Sequence, residues 1–145
     1  LLFYDHKSTE LLDKNFGFQT FNPQWEFGHG LSYSSFSYSN LIIDKKSYQK
    51  TDYLKVSVDV KNDSAIDGKE VIQVYITDLI ASITPSIKRL RGFKKVKLKA
   101  QETQTVHFEI PIESLSFVGK DNKWIVETGD FVIQVDKFKA KFKVK

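Results

Sequence analysis

The 145 residues contain no cysteine and no methionine, and only three prolines. The lack of cysteine excludes disulfides, thiolate metal ligands and thiol nucleophiles. Because methionine is absent, Leu1 is not a translational start as the sequence stands. It is read as an internal residue of a longer polypeptide. No apolar run approaches the ~20 residues that cross a bilayer as a helix, so no membrane span is expected. Sustained helical periodicity is also lacking, which argues against a helical fold. What is abundant is apolar surface: 41% hydrophobic and 14% aromatic residues, twelve of them Phe. That is the composition of a globular chain and not of a disordered one. The length suits one domain with a substantial core.

From Phe36 onward, short β-rich runs alternate with polar turns. Phe36 to Ile43 reads as a first strand. Leu54, Val56, Val58 and Val60 alternate with Lys55, Ser57 and Asp59, the period of a half-buried strand. After the turn at Asn62-Asp63-Ser64 and Asp67-Gly68, Ile72, Val74 and Ile76 form one face of a more central strand, with Val71, Gln73 and Tyr75 on the other. Extended structure resumes over Lys88 to Leu98. Val106, Phe108 and Ile110 alternate until Pro111, Glu113 to Phe117 reads as a helical turn, and Trp124 to Val126 and Phe131 to Val135 are further strands. Lysines at 137, 139, 141, 143 and 145 alternate with Phe138, Ala140, Phe142 and Val144, as expected of an edge strand whose charges discourage pairing with other chains; the alternative reading is a surface that binds an acidic polymer. Seven or eight such strands predict an all-β, antiparallel sandwich of the immunoglobulin/fibronectin type III kind. Residues 36–145 form this sandwich, and residues 1–35, without clear periodicity, form an extended N-terminal arm.

The arm has a physical requirement of its own. Gly28 and Gly30 flank His29 and permit close approach of another surface. Trp25, Phe27, Leu31 and Tyr33 add a large apolar payload with no regular partner strand. Exposed aromatic arms mark interaction surfaces, so Trp25, Phe27, Gly28, Gly30, Leu31 and Tyr33 are the candidate domain interface. The competing expectation is that the arm folds back on its own sandwich.

The run Trp25-Glu26-Phe27-Gly28-His29-Gly30-Leu31-Ser32-Tyr33-Ser34-Ser35-Phe36, followed by Tyr38-Ser39-Asn40-Leu41, resembles the signature that opens the C-terminal fibronectin type III-like domain of family 3 glycoside hydrolases. Segments Gly68 to Ile76, Leu90 to Leu98, Thr105 to Phe108 and Gly129 to Ile133 follow in the order familiar from that domain. Tyr4-Asp5-His6-Lys7 looks like the connector from a preceding domain. Thr128-Gly129 departs from the Pro-Gly that the family often has at its last turn. The resemblance implies a parent β-glucosidase or β-xylosidase whose catalytic Asp and Glu lie in other domains, the partners of this one. It transfers no catalytic residue to this chain, implies no cofactor, and suggests a periplasmic or extracellular location.

The residues also admit readings that do not depend on this resemblance. Glycoside hydrolysis needs two carboxylates ~5 to 9.5 Å apart. The candidates Glu109, Glu113 and Asp121 stand in polar turns or on strand faces and read as solvated acids. His6, His29 and His107 lack metal-ligand spacing, so no metal site is expected. Oligo- or polysaccharide binding is the sharpest rival. Trp25, Trp124 and Tyr75 are its platform candidates, with Tyr48 and Tyr53 further aromatics. Against that, Trp124 reads as a core or rim residue, and Tyr75 as packed between sheets or against a neighbouring domain. The basic stretch Arg89, Arg91, Lys94, Lys95, Lys97 and Lys99 is interleaved with apolar residues as a strand would be, and no recognition motif for nucleic acid accompanies it. Asn62-Asp63-Ser64 also fits the N-glycosylation acceptor pattern, on a turn expected to be reachable.

Overall fold

A computed structural model describes residues 25, 28–82 and 88–145. Among them ten strands run in chain order: β1 (Phe36–Ile43), β2 (Ser47–Tyr48), β3 (Tyr53–Asn62), β4 (Gly68–Asp78), β5 (Arg89–Leu98), β6 (Thr103–Pro111), β7 (Phe117–Val118), β8 (Trp124–Ile125), β9 (Gly129–Val135) and β10 (Phe138–Val144). A single 3₁₀ turn, Ile112–Leu115, follows β6, slightly earlier than the helical turn expected at Glu113 to Phe117. β2, β7 and β8 hold two residues each. Of these, β8 falls within the strand expected at Trp124 to Val126, while β2 and β7 are additions to the expected set, since two residues cannot display a period.

Alternation dictates the layers. One sheet has the order β1-β3-β6, the other β2-β10-β9-β4-β5, and β7-β8 is a separate hairpin. Leu54, Val56, Val58 and Val60 of β3 face inward with Val106, Phe108 and Ile110 of β6. They meet Ile72, Val74 and Ile76 of β4, Phe131, Ile133 and Val135 of β9, and Phe142 and Val144 of β10 in one buried cluster. The Phe142 ring stacks on Phe131 at 5.5 Å and meets Tyr48 edge-on at 5.6 Å, both favourable geometries for aromatic quadrupoles. The expected β-sandwich is the fold observed.

The lysine strand β10 was expected at an edge, and this needs correction. It pairs antiparallel with β9 along its length, and at its end β2 adds in parallel, Lys143 opposite Ser47 and Val144 opposite Tyr48. Only its first part therefore presents a free edge. The reason is local: Tyr48 is drawn into the core beside Phe142, and this brings the short β2 alongside.

The turn after β3 also departs from expectation. Asn62 is 0% exposed. Its Nδ2 donates to the carbonyls of Ile66 at 2.8 Å, Lys99 at 3.0 Å and Leu98 at 3.4 Å, while its Oδ1 accepts from the Ser64 N–H at 3.0 Å. The Asn62-Asp63-Ser64 pattern is thus a buried structural bridge between two turns and not a reachable glycosylation site in the folded chain.

Gly68 opens β4 where the arm enters the sandwich. A Cβ there would stand 2.6 Å from Ser34 Oγ and 2.7 Å from the Phe36 ring. Overpacking of this kind costs about 1–3 kcal/mol, so Gly68→Ala is expected to lower the urea midpoint of unfolding accordingly, without changing the slope. An unchanged midpoint would mean that Ser34 and Phe36 can move aside freely.

Candidate interaction site

The arm is tied down just before β1. Ser34 is buried, with its hydroxyl directed at the Asp67 carbonyl, and the Ser35 N–H donates to Ser64 Oγ at 2.7 Å. Further upstream, Gly28 has φ of +86°, and a Cβ there would lie 2.3 Å from the Gln73 amide oxygen. At this point the arm lies flat on the outer face of β4, as the fold-back expectation has it, and glycine is what allows so close an approach. Its large side chains are not covered. Trp25 is 61% exposed and stacks against His29 at 6.2 Å; Leu31 is 97% and Tyr33 100% exposed. Gly30 has no neighbour within 4 Å of where a Cβ would be. Phe27 lies outside the described residues. The arm is thus anchored at Ser34 and Gly28 and bare at Trp25, Leu31 and Tyr33.

The aromatics weighed as a sugar platform are not brought together as one wet face. Tyr75 is 7% exposed; its hydroxyl donates to Gln73 Oε1 and the Lys88 ammonium sits 4.9 Å from its ring centre. Tyr48 is buried in the core. Trp124 departs in the other direction: expected in the core or at its rim, it is 70% exposed. It pairs with Val118 in the β7-β8 hairpin, which joins neither sheet; this pair is exposed, while the adjacent pair Phe117 and Ile125 is half-buried.

Trp124 lies at one end of the sandwich. The strand order brings the β7-β8 hairpin, the segment after β4 and the start of β3 to that same end, where Leu79, Ile80 and Tyr53 are also exposed. Two carboxylates tie this end together. Asp78 Oδ1 accepts the Ile80 N–H at 3.1 Å, and Glu127 Oε2 accepts the Ser82 N–H at 2.8 Å. Burial, with the nearby negative charge of Glu127, raises the Asp78 carboxyl above its ordinary value. Hydrogen bonds from Ser82 hold Glu127 below the usual range. These acids organise backbone and are not disposed as an acid and base around an open cleft.

Glu109, Glu113 and Asp121 are all exposed, and Glu109 forms a surface ion pair with Lys55 at 3.7 Å. His107 is exposed on β6 and His29 belongs to the arm. Among the described residues no group of three or more His, Cys, Asp or Glu side chains could hold a metal ion. No described helix is long and apolar enough to cross a membrane.

Comparison with known proteins follows the same lines. Residues 70–138 match the profile of the fibronectin type III-like domain. The chain is 40% identical over 114 residues to thermostable β-glucosidase B of Acetivibrio thermocellus, an alignment covering 78% of this chain and 15% of that protein. It is 36% identical over 121 residues to the periplasmic β-glucosidase of Salmonella typhimurium, covering 83% and 16% respectively. A β-glucosidase structure from Erythrobacter marinus is similar with a TM-score of 0.87 at 36% identity, over 99% of this chain and 20% of that one. The chain therefore spans between 15% and 20% of the length of these relatives, and the part of the curated relatives that it matches is C-terminal.

Proposed function

Since residues 70–138 place this chain in the fibronectin type III-like domain family, in the form found at the C-terminal end of family 3 glycoside hydrolases, we propose that it is the non-catalytic accessory domain of such an enzyme. The parent is a β-glucosidase or β-xylosidase, and the domain packs against the catalytic domains to stabilise or position them. The arm makes the contact. The observation that carries this reading is the exposure of Leu31 and Tyr33, 97% and 100%, on a backbone fixed at Ser34 immediately behind them. Large apolar side chains held in water at a pinned position suit the core of an interface, where aromatic anchors supply most of the binding energy. Trp25, Phe27, Gly28 and Gly30 belong to the same contact. A periplasmic or extracellular setting is part of the proposal, supported by the Salmonella relative described as periplasmic.

The test is association of this chain with the separately produced catalytic domains of its parent, measured by titration calorimetry. Replacing Trp25, Leu31 and Tyr33 together by alanine is expected to weaken association by at least ~30-fold, the effect of losing about 2 kcal/mol of anchor contacts. The unfolding midpoint of the isolated chain should stay unchanged, because these side chains touch little of the sandwich. Full retention of association, or collapse of the isolated fold, would overturn the assignment of the arm.

A further inference from the structure

Strand register gathers apolar surface beside the arm, on a face that is otherwise rich in lysine. Directly paired residues of antiparallel strands share a face, and the face alternates along each strand. On the outer face of the five-stranded sheet, Lys69 stands opposite Lys97, Val71 opposite Lys95, and Gln73 opposite Phe93. Further across, Tyr75 stands opposite Gln134 of β9, and Gln134 opposite Lys139 of β10. Lys69, Lys95, Lys97 and Lys139 are exposed, as suits a solvated face. Phe93 does not fit that pattern. It follows Lys97 and Lys95 on the same side of β5, yet it is 67% exposed. Val71 is exposed as well, and it is the diagonal neighbour of Phe93, within reach of an aromatic side chain.

Gln73 fixes where Phe93 lies relative to the arm. Gly28 rests on the Gln73 amide, whose oxygen also accepts the Tyr75 hydroxyl. The arm thus touches down on the residue directly opposite Phe93, and the Cβ atoms of such partners are about 5 Å apart. The arm leaves Phe93 uncovered. Single apolar residues scattered over a surface need no partner. Ile42, similarly exposed on the other sheet, is of this kind, because its row continues with Ser57 and His107. Phe93 and Val71 are different: they flank the contact of Gly28, beside which Trp25 stacks on His29, and Lys95 and Lys97 border them. An apolar centre with a polar rim is the anatomy of an interface.

The course of the chain points to what covers this patch. In the relatives the matched part is C-terminal and amounts to 20% of the Erythrobacter chain, so most of those polypeptides precede it. A body attached ahead of the arm is delivered at Gln73, on the same face as Phe93, and is held there at high effective concentration. We propose that Phe93 and Val71 form, together with the arm, one docking surface for the catalytic domains of the parent glycosidase, which sit on the outer face of β4 and β5 with Phe93 as anchor. Resting on the accessory-domain reading, this adds a sheet-borne half to the contact made by the arm.

Hydroxyl-radical footprinting, read by mass spectrometry, compares this chain alone with the full-length parent. In the chain alone Tyr33, Ile42, Val71 and Phe93 should all be oxidised. In the parent, Tyr33, Val71 and Phe93 should react about fivefold more slowly or less, since the centre of an interface excludes water, while Ile42 keeps its rate. Protection of Tyr33 without Phe93 would overturn the sheet-borne half and leave arm docking intact. Protection of Phe93 without Tyr33 would uphold it and remove the arm from the contact, and protection of neither would overturn both. Protection of Phe93 already in the chain alone would assign the cover to this chain itself or, where it grows with concentration, to a second copy, and would overturn the proposal. Phe93→Lys, which extends the row of Lys95 and Lys97, should leave the urea midpoint of this chain unchanged, as surface substitutions do. In the parent it should return the oxidation of Val71 to its rate in the chain alone. A Val71 rate that the substitution does not move would overturn the role of Phe93 as anchor.

Discussion

Asn62→Ala will destabilise the sandwich by about 2–4 kcal/mol, the range for leaving several buried polar groups unsatisfied. The Asn62 amide serves the carbonyls of Ile66, Leu98 and Lys99 together, and its oxygen holds the Ser64 N–H. Alanine removes all of these without admitting water to a site that is fully enclosed. The consequence is not confined to one turn. The amide joins the loop between β3 and β4 to the loop between β5 and β6, both of which cross from one sheet to the other. Urea denaturation should report the loss, and thermal unfolding should fall by ~10 °C, as expected for a chain of this size. Asn62→Asp should be no better at neutral pH, because a carboxylate cannot donate to three carbonyls. A loss below ~0.5 kcal/mol, the level of an ordinary surface substitution, would show that the bridge contributes little.

The second large effect is loss of stability at alkaline pH. Tyr38 donates to Glu70 Oε1 and Tyr48 to Asp44 Oδ1, both at 2.7 Å. Burial, then the hydrogen bond to a carboxylate and its negative charge, push both phenols well above their ordinary value. The sign follows from proton counting. Below about pH 10, the value for a free tyrosine, both states keep the phenolic protons and stability is indifferent to these groups. Above it the unfolded chain releases them while the fold retains them, so stability falls as pH rises. Each phenol contributes up to ~1.4 kcal/mol per pH unit in this window. Urea unfolding at pH 8, 10 and 11 should show a plateau followed by a steep decline. Tyr38→Phe with Tyr48→Phe should start lower at pH 8, where it leaves the Lys45 N–H without its 3.0 Å acceptor, but decline less steeply. Parallel declines in the two proteins would assign the effect to other groups.

Both predictions concern residues whose roles were hard to read in the sequence, and the reason is physical. β3 was legible because Leu54 through Val60 alternate strictly, and a period of two records which face is buried. The same rule placed the lysines of β10 on its wet face. It could not say what lies beside that strand, because pairing with β2 depends on where Tyr48 packs. Asn62 showed the opposite difficulty. A polar residue in a turn looks solvated, and its true partners, Leu98 and Lys99, are remote in the chain. Trp124 was misplaced because apolar neighbours suggest burial, yet the hairpin that holds it joins no sheet. The arm motif was visible at once from Trp25 to Tyr33, while the lysine-rich face was not. That face exists only once register sets Lys69, Lys95 and Lys139 on the same side of three different strands, although the separate lysines were all in view.

The parallel pairing of β2 with β10 also bears on how the chain folds. Contacts between distant segments are slow to form because the intervening chain must be closed first. On the ribosome, Ser47 and Tyr48 emerge about 96 residues before their partners Lys143 and Val144. Until then Tyr48 has neither its strand neighbour nor the Phe142 ring against which it packs. Completion of the five-stranded sheet is therefore a late event. The segment around Tyr48 must wait for β10, with apolar surface open to chaperones or to other nascent chains in the interval.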